Sequence, residues 1–122
     1  MNKAEWDELD EADRDAIVAE RVMQWTLTEV KDTFIGGVFD HWVEKDGRGM
    51  YAPCEFEPTT DRNACALVMK EIKSRDVLVN ERFVRYLLDL QADTRSPWST
   101  VSILLSDPDL ICYCAVEAVE PS

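Results

Sequence analysis

Apolar residues recur at helical spacing in three well-separated segments, and that recurrence limits the fold of this chain more than any other feature. In the first segment Ile17 and Val18, Val22 and Trp25 follow the i, i+4, i+7 rhythm of one buried stripe. A helix from about Lys3 or Asp10 to Trp25 is predicted there. In the second, Ala64, Leu67, Val68 and Ile72 make the inner stripe of a helix over about Asp61 to Ser74, with Glu71 and Arg75 as an i, i+4 surface pair. The third is the best delimited. Asp107 can cap it, Pro108 suits the first helical position, and Asp109 complements the helix dipole. Ile111, Cys114, Ala115 and Ala118 then share one face.

Between these segments the pattern changes period. Thr26 and Thr28 turn it toward strand, Gly36-Gly37 punctuates it, and "VFDHWVEKDGRGMYAP" reads as a hairpin turning at Asp46-Gly47. "FVRYLLDLQ" is predicted as a strand, with Val84, Tyr86, Leu88 and Leu90 on one face and Phe83, Arg85, Leu87 and Asp89 on the other. "WSTVSILLS" alternates again through Val101, Ile103 and Leu105, and the two strands are expected to pair antiparallel. A chain of 122 residues gives one domain, residues 1–122. The expected class is α+β, an α/β/α-layered sandwich of about three helices on a small antiparallel sheet.

Charge excludes some functions. Twenty-five acids against thirteen bases give a formal net charge of −12, which disfavours direct binding to a nucleic-acid backbone, since that affinity comes from Lys and Arg neutralising phosphates. The excess is uneven. The first fifteen residues carry seven acids, Glu5, Asp7, Glu8, Asp10, Glu11, Asp13 and Asp15, against two bases. Residues 70–85 run the other way, with Lys70, Lys73, Arg75, Arg82 and Arg85 against three acids. No apolar run approaches the ~20 residues that cross a bilayer. The acidic start lacks the apolar core of a signal peptide, so a cytoplasmic protein is expected, with no membrane partner.

Cys54, Cys65, Cys112 and Cys114 raise the question of a metal or a disulfide. "CYC" at 112–114 falls in a predicted helix, where i and i+2 point apart, and His41 has no CxxC or HxxxH partner. Free thiols, no metal and no cofactor are expected. Catalysis is not expected either. His41 has no nucleophile on a Gly-flanked elbow, and pairing it with Cys54 rests on no motif.

The turn "PTTD" before the second helix could hold an anion, because a helix start offers free N–H groups and partial positive charge. Thr59 and Thr60 would add hydroxyls and Arg62 a cation. Against this, Asp61 already answers the dipole and repels phosphate, and no glycine follows Gly49 to allow close backbone approach. The favoured reading is a cap, supplied by threonine.

Three segments together carry a family resemblance. "RDAIVAERVMQW" at 14–25, "PTTDRNACALVMKEI" at 58–72 and "DPDLICYCAVEAV" at 107–119 resemble, in order and spacing, the helices of the phage ABA sandwich domain, a family of small phage and prophage proteins. Gln24 stands where that family usually has glycine. The resemblance implies an α/β/α-layered phage protein and supplies no catalytic residues.

Three functions remain open. The first is a non-enzymatic phage accessory protein, expected as a homo-oligomer, that sequesters a small nucleotide-type signalling ligand to counter host defence. Arg85, Arg95 and Trp98 are its candidate contacts, cations for phosphate and an indole for a base, together with Thr59, Thr60 and Arg62. The second is an acidic inhibitor or DNA mimic acting on a host protein through Asp7, Glu8, Asp10, Glu11 and Asp15. The third is a virion or packaging accessory protein with no ligand.

Overall fold

The computed structural model describes residues 1–90 and 107–121. Two short helices, α1 (Lys3–Glu8) and α2 (Glu11–Ile17), lead into a π-helical turn over Val18–Val22. Strands β1 (Thr26–Asp32), β2 (Gly37–Val43) and β3 (Met50–Tyr51) follow, then a 3-10 turn at Pro53–Glu55. Helices α3 (Arg62–Ser74), α4 (Val77–Asp89) and α5 (Pro108–Val119) complete the described chain. The fold is α+β. Among the described residues no helix is long and apolar enough to cross a membrane.

The predicted first helix is present in pieces, and the side chains explain the break. Leu9 is extended, and the Asp10 carboxylate accepts from Asp13 N at 2.8 Å, restarting the helix. Arg14 then reaches back to the end of α1, its Nε donating to Trp6 O and its Nη2 to Asp7 O, each at 3.0 Å. Its Nη1 also meets Asp109 Oδ1 at 3.2 Å, and Trp6 Nε1 donates to the same oxygen at 3.2 Å. One arginine thus caps α1 and ties it to the start of α5. The π turn ends with Trp25 N donating to Ala19 O at 3.0 Å, which puts Gln24 at φ 59°. That left-handed conformation suits glycine.

Helix α5 lies at the centre of the packing, against α3, α4 and the π turn. All eight residues from Ile111 to Ala118 are buried, as expected of a helix covered on every side. Val18 and Val22 from the π turn, Val68 and Ile72 from α3, and Phe83 and Leu87 from α4 join the same core. Full burial of such a side chain stabilises the fold by about 1.5–3 kcal/mol, so the helical part supplies most of the apolar driving force.

The sheet has the order β1-β2-β3, antiparallel throughout, with Thr26 opposite Val43, Asp32 opposite Gly37, and Trp42 opposite Tyr51. The expected turn at Asp46-Gly47 joins β2 to β3, with Gly47 at φ 77° and Glu44 N donating to Gly49 O at 2.9 Å. Trp25 stacks on Tyr51, ring centroids 4.9 Å apart and planes 6° from parallel, and meets Phe56 at 4.5 Å. This aromatic cluster joins sheet to helices.

The expectation for "FVRYLLDLQ" is overturned: residues 83–89 are helical, part of α4. Asp76 caps that helix, accepting from Val79 N at 3.0 Å, and Val79, Phe83 and Leu87 bury one face at i, i+4, i+8. Antiparallel pairing of that segment with "WSTVSILLS" therefore fails, since 83–89 is not a strand. Residues 98–106 lie outside the described residues.

Candidate functional site

Burying Val79, Phe83 and Leu87 turns a second row of α4 outward. Val77, Val84 and Leu88 are 71%, 53% and 51% exposed, a spacing of seven and four residues that lines them up on one helix side. With Lys73 and Arg75 from the end of α3, and with Asn80, Glu81, Arg85 and Asp89 from α4, they line an open groove of about 670 Å³.

Three of the nearby polar side chains are committed to structure. Arg75 donates from Nε to Glu71 at 3.2 Å and from Nη2 to Val22 O, the end of the π turn, at 2.7 Å. Asn80 donates to Arg75 O and Asp76 O at 3.0 and 2.9 Å. Arg82, just behind the groove, donates to Ala118 O at 2.9 Å and closes α5. Two of the five bases in the run 70–85, Arg75 and Arg82, therefore act as helix C-terminal caps. Lys73 and Arg85 are different: both are exposed, and neither is in an ion pair among the described residues. The groove thus combines an apolar floor with two uncommitted cations, and with two carboxylates at Glu81 and Asp89 that limit how much negative charge it accepts.

The residues before α3 do something else. Asp61 caps that helix, accepting from Asn63 N at 3.0 Å, so the expected threonine cap is corrected. Thr59 is buried, and both its N–H and its Oγ1 donate to Asp15 Oδ1, at 3.0 and 2.7 Å. With those donors taken, Thr59 has no N–H or hydroxyl hydrogen left to offer an anion. Thr60 Oγ1 bonds back to Glu57 O at 3.4 Å, and Arg62 is exposed at the first position of α3. None of Thr59, Thr60 and Arg62 lines the α4 groove that holds Arg85. Arg95 and Trp98 lie outside the described residues.

Asp15 is also a correction. Expected on the acidic surface, it is 8% exposed and faces inward. Burial raises its pKa above the ordinary aspartate value, aided by the charges of Glu57 and Glu11 and opposed by the two bonds from Thr59. Of the other acids proposed there, Asp7 pairs with Lys3 and Asp10 caps α2, while Glu8 and Glu11 are exposed with no ion pair among the described residues.

A smaller hollow of about 280 Å³ lies between α2 and the sheet, lined by Asp15, Leu27, Trp42, Cys54 and Phe56 among others. His41 lines a different hollow, beside Phe39 and Pro53. Cys65, Cys112 and Cys114 are buried, and Cys54 is exposed. Cys65 Sγ lies 3.9 Å from Pro108 O. The neighbouring Cys112 thiol lowers the pKa of Cys65, while Cys65 and burial raise that of Cys112, and burial pushes Cys114 up to about 12. Among the described residues no group of three His, Cys, Asp or Glu side chains could hold a metal ion.

No family model matches the chain, and no curated protein or solved structure matches it either. Sequence reading had singled out Arg85 but missed Lys73 and the apolar floor. The signal was present as the i, i+7, i+11 spacing of Val77, Val84 and Leu88, hidden by reading the segment at strand period.

Proposed function

We propose that the protein is a non-enzymatic binding protein whose α4 groove takes an amphipathic anion of nucleotide size. One observation carries this reading: Lys73 and Arg85, two exposed cations in no ion pair among the described residues, flank an apolar floor in a chain whose net charge is −12. Its volume lies within the ~300–1,000 Å³ usual for small-molecule sites. An apolar or aromatic ring system would lie on Val77, Val84 and Leu88, with its phosphate against Arg85 and Lys73. Because the groove is open on one side, charge carries much of the affinity, and binding weakens as salt rises. The resemblance to the phage ABA sandwich domain supplies the proposed setting, a phage or prophage accessory protein that removes a nucleotide-type signal of host defence.

The test is native mass spectrometry of the protein purified from cells, before and after denaturation, followed by titration with nucleotides. A released nucleotide, or titrated binding that the double variant K73E/R85E loses while staying folded, supports the groove. Binding unchanged in that variant moves the site elsewhere, and no binding at all rejects the reading. A second reading, an acidic inhibitor of a basic host protein, is favoured by Glu8 and Glu11, which are exposed and in no ion pair among the described residues. Retention of a basic protein that the variant E8K/E11K fails to retain would support it.

A further inference from the structure

Among the described residues strand β1 has a neighbour on one side only. The sheet order is β1-β2-β3, so among the described residues nothing pairs with the outer edge of Thr26–Asp32. A strand at a sheet edge presents half its backbone N–H and C=O groups outward, a template for another strand. Thr26, Leu27, Thr28, Glu29 and Lys31 are all exposed along it. Beside this edge the sheet also leaves apolar area in solvent on both faces: Leu27 is 49% exposed, Val38 60% and Phe39 46%.

We propose that this edge pairs antiparallel with the same edge of a second copy, centred on Val30, joining two three-stranded sheets into one of six strands. Charge selects the register. A two-fold axis perpendicular to the sheet keeps each residue on its own face, so the axis must pass midway between the two copies of one residue, which then faces itself across the seam. Centring on Glu29 pairs all seven strand residues but sets Glu29 against Glu29. Centring on Lys31 sets Lys31 against Lys31. Centring on Val30 places Glu29 of each copy opposite Lys31 of the other, twice per dimer, with a β-branched pair on the axis. Like charges directly opposite destabilise a ladder and opposite charges stabilise it.

A lysine on an edge strand commonly guards against such pairing. Here Glu29, two residues away on the same face, cancels the guard for one partner only, another copy in this register. The net charge of −12 on each copy opposes association. At 0.15 M salt that long-range repulsion is screened over about 8 Å, whereas directly opposed side chains stay within reach of each other.

Sedimentation equilibrium at 0.15 M salt tests this over micromolar to millimolar protein. The wild-type chain is expected to dimerise. E29K and K31E, each made alone, place like charges in both cross-strand pairs and weaken the dimer by roughly 100-fold. The double variant E29K/K31E restores it, and a mixture of the two single variants forms a mixed dimer, because each supplies the charge the other lacks. Circular dichroism checks that every variant is folded. If a variant fails to fold, hydrogen exchange of the wild-type β1 amides, slower at high than at low protein concentration, reads the same contact. A wild-type chain that stays monomeric overturns the proposal. So does a dimer indifferent to single reversal, or a loss that the double variant does not restore.

Discussion

Helices α4 and α5 have 13 and 12 residues and both are rich in apolar side chains, yet they use them in different ways. In α5 every residue from Ile111 to Ala118 is covered, and even Glu117 is buried, 3.2 Å from the amino group of Met1. In α4 only Val79, Phe83 and Leu87 are covered, while Val77, Leu78, Val84 and Leu88 are more than half exposed. Apolar content alone therefore does not say what a helix is for. In α5 it holds the molecule together; in α4 half of it stays exposed among the described residues.

Substitutions at the two helices should separate these roles, and the largest effect belongs to α5. Ile111→Ala removes a side chain that is 2% exposed from the centre of the packing, and should cost about 3 kcal/mol, read as a lowered urea midpoint at unchanged slope. A loss under about 1 kcal/mol would mean that α5 is not the centre of the core.

Next comes the polar contact beside that core. Asp15→Ala leaves the buried N–H and hydroxyl of Thr59 without their acceptor and should cost about 2 kcal/mol. Asp15→Asn keeps an acceptor oxygen and removes the charge, so it should cost less, and its pH profile is diagnostic. Because the folded-state pKa of Asp15 is raised, ionisation costs stability in the folded state as pH climbs from 3.8 through the raised value. The stability of D15N relative to wild type should therefore improve across that window. A flat difference would mean that Asp15 is not desolvated.

Smaller and opposite in sign is Gln24→Gly. The exposed side chain gives up little, and φ 59° ceases to be penalised, so the variant should gain about 1 kcal/mol. The least effect on folding is expected in the groove. V84S/L88S should change stability by no more than about 0.5 kcal/mol while abolishing ligand binding there, as measured by titration. A large loss of stability would show that this face packs in the free protein, and the contrast with α5 would collapse.

What the sequence disclosed follows the same division. The second and third helices were legible almost to their caps, because Asp107-Pro108 and the Ala64, Val68, Ile72 stripe depend on local chemistry alone. The hairpin at Asp46-Gly47 was legible for the same reason. Helix α4 was not, because apolar residues on two of its faces imitate alternation; the decisive local signal was Asp76, a cap three residues before Val79. The break at Leu9 depends on Arg14, whose partners include a residue 95 positions away, and no local reading finds that. Asp15 looked like one more surface acid, although it stands three residues before Val18 and seven before Val22, on the buried stripe. At the candidate site Arg85 was found by type, and Lys73 was missed because its relation to α4 is tertiary.

The central place of α5 also sets the order in which this protein can be made. Val18, Val22, Val68, Ile72, Phe83 and Leu87 precede it in the chain and share the core it completes. While a ribosome is still making residues 1–107, those side chains have no α5 to close on, and at roughly 5–20 residues per second that lasts many seconds. The nascent chain then carries amphipathic segments whose apolar faces await a partner not yet synthesised. Contacts between the π turn and α5 span about ninety residues, and such long-range closure slows folding. Each new molecule therefore passes through a period in which its helices are written but its interior does not yet exist.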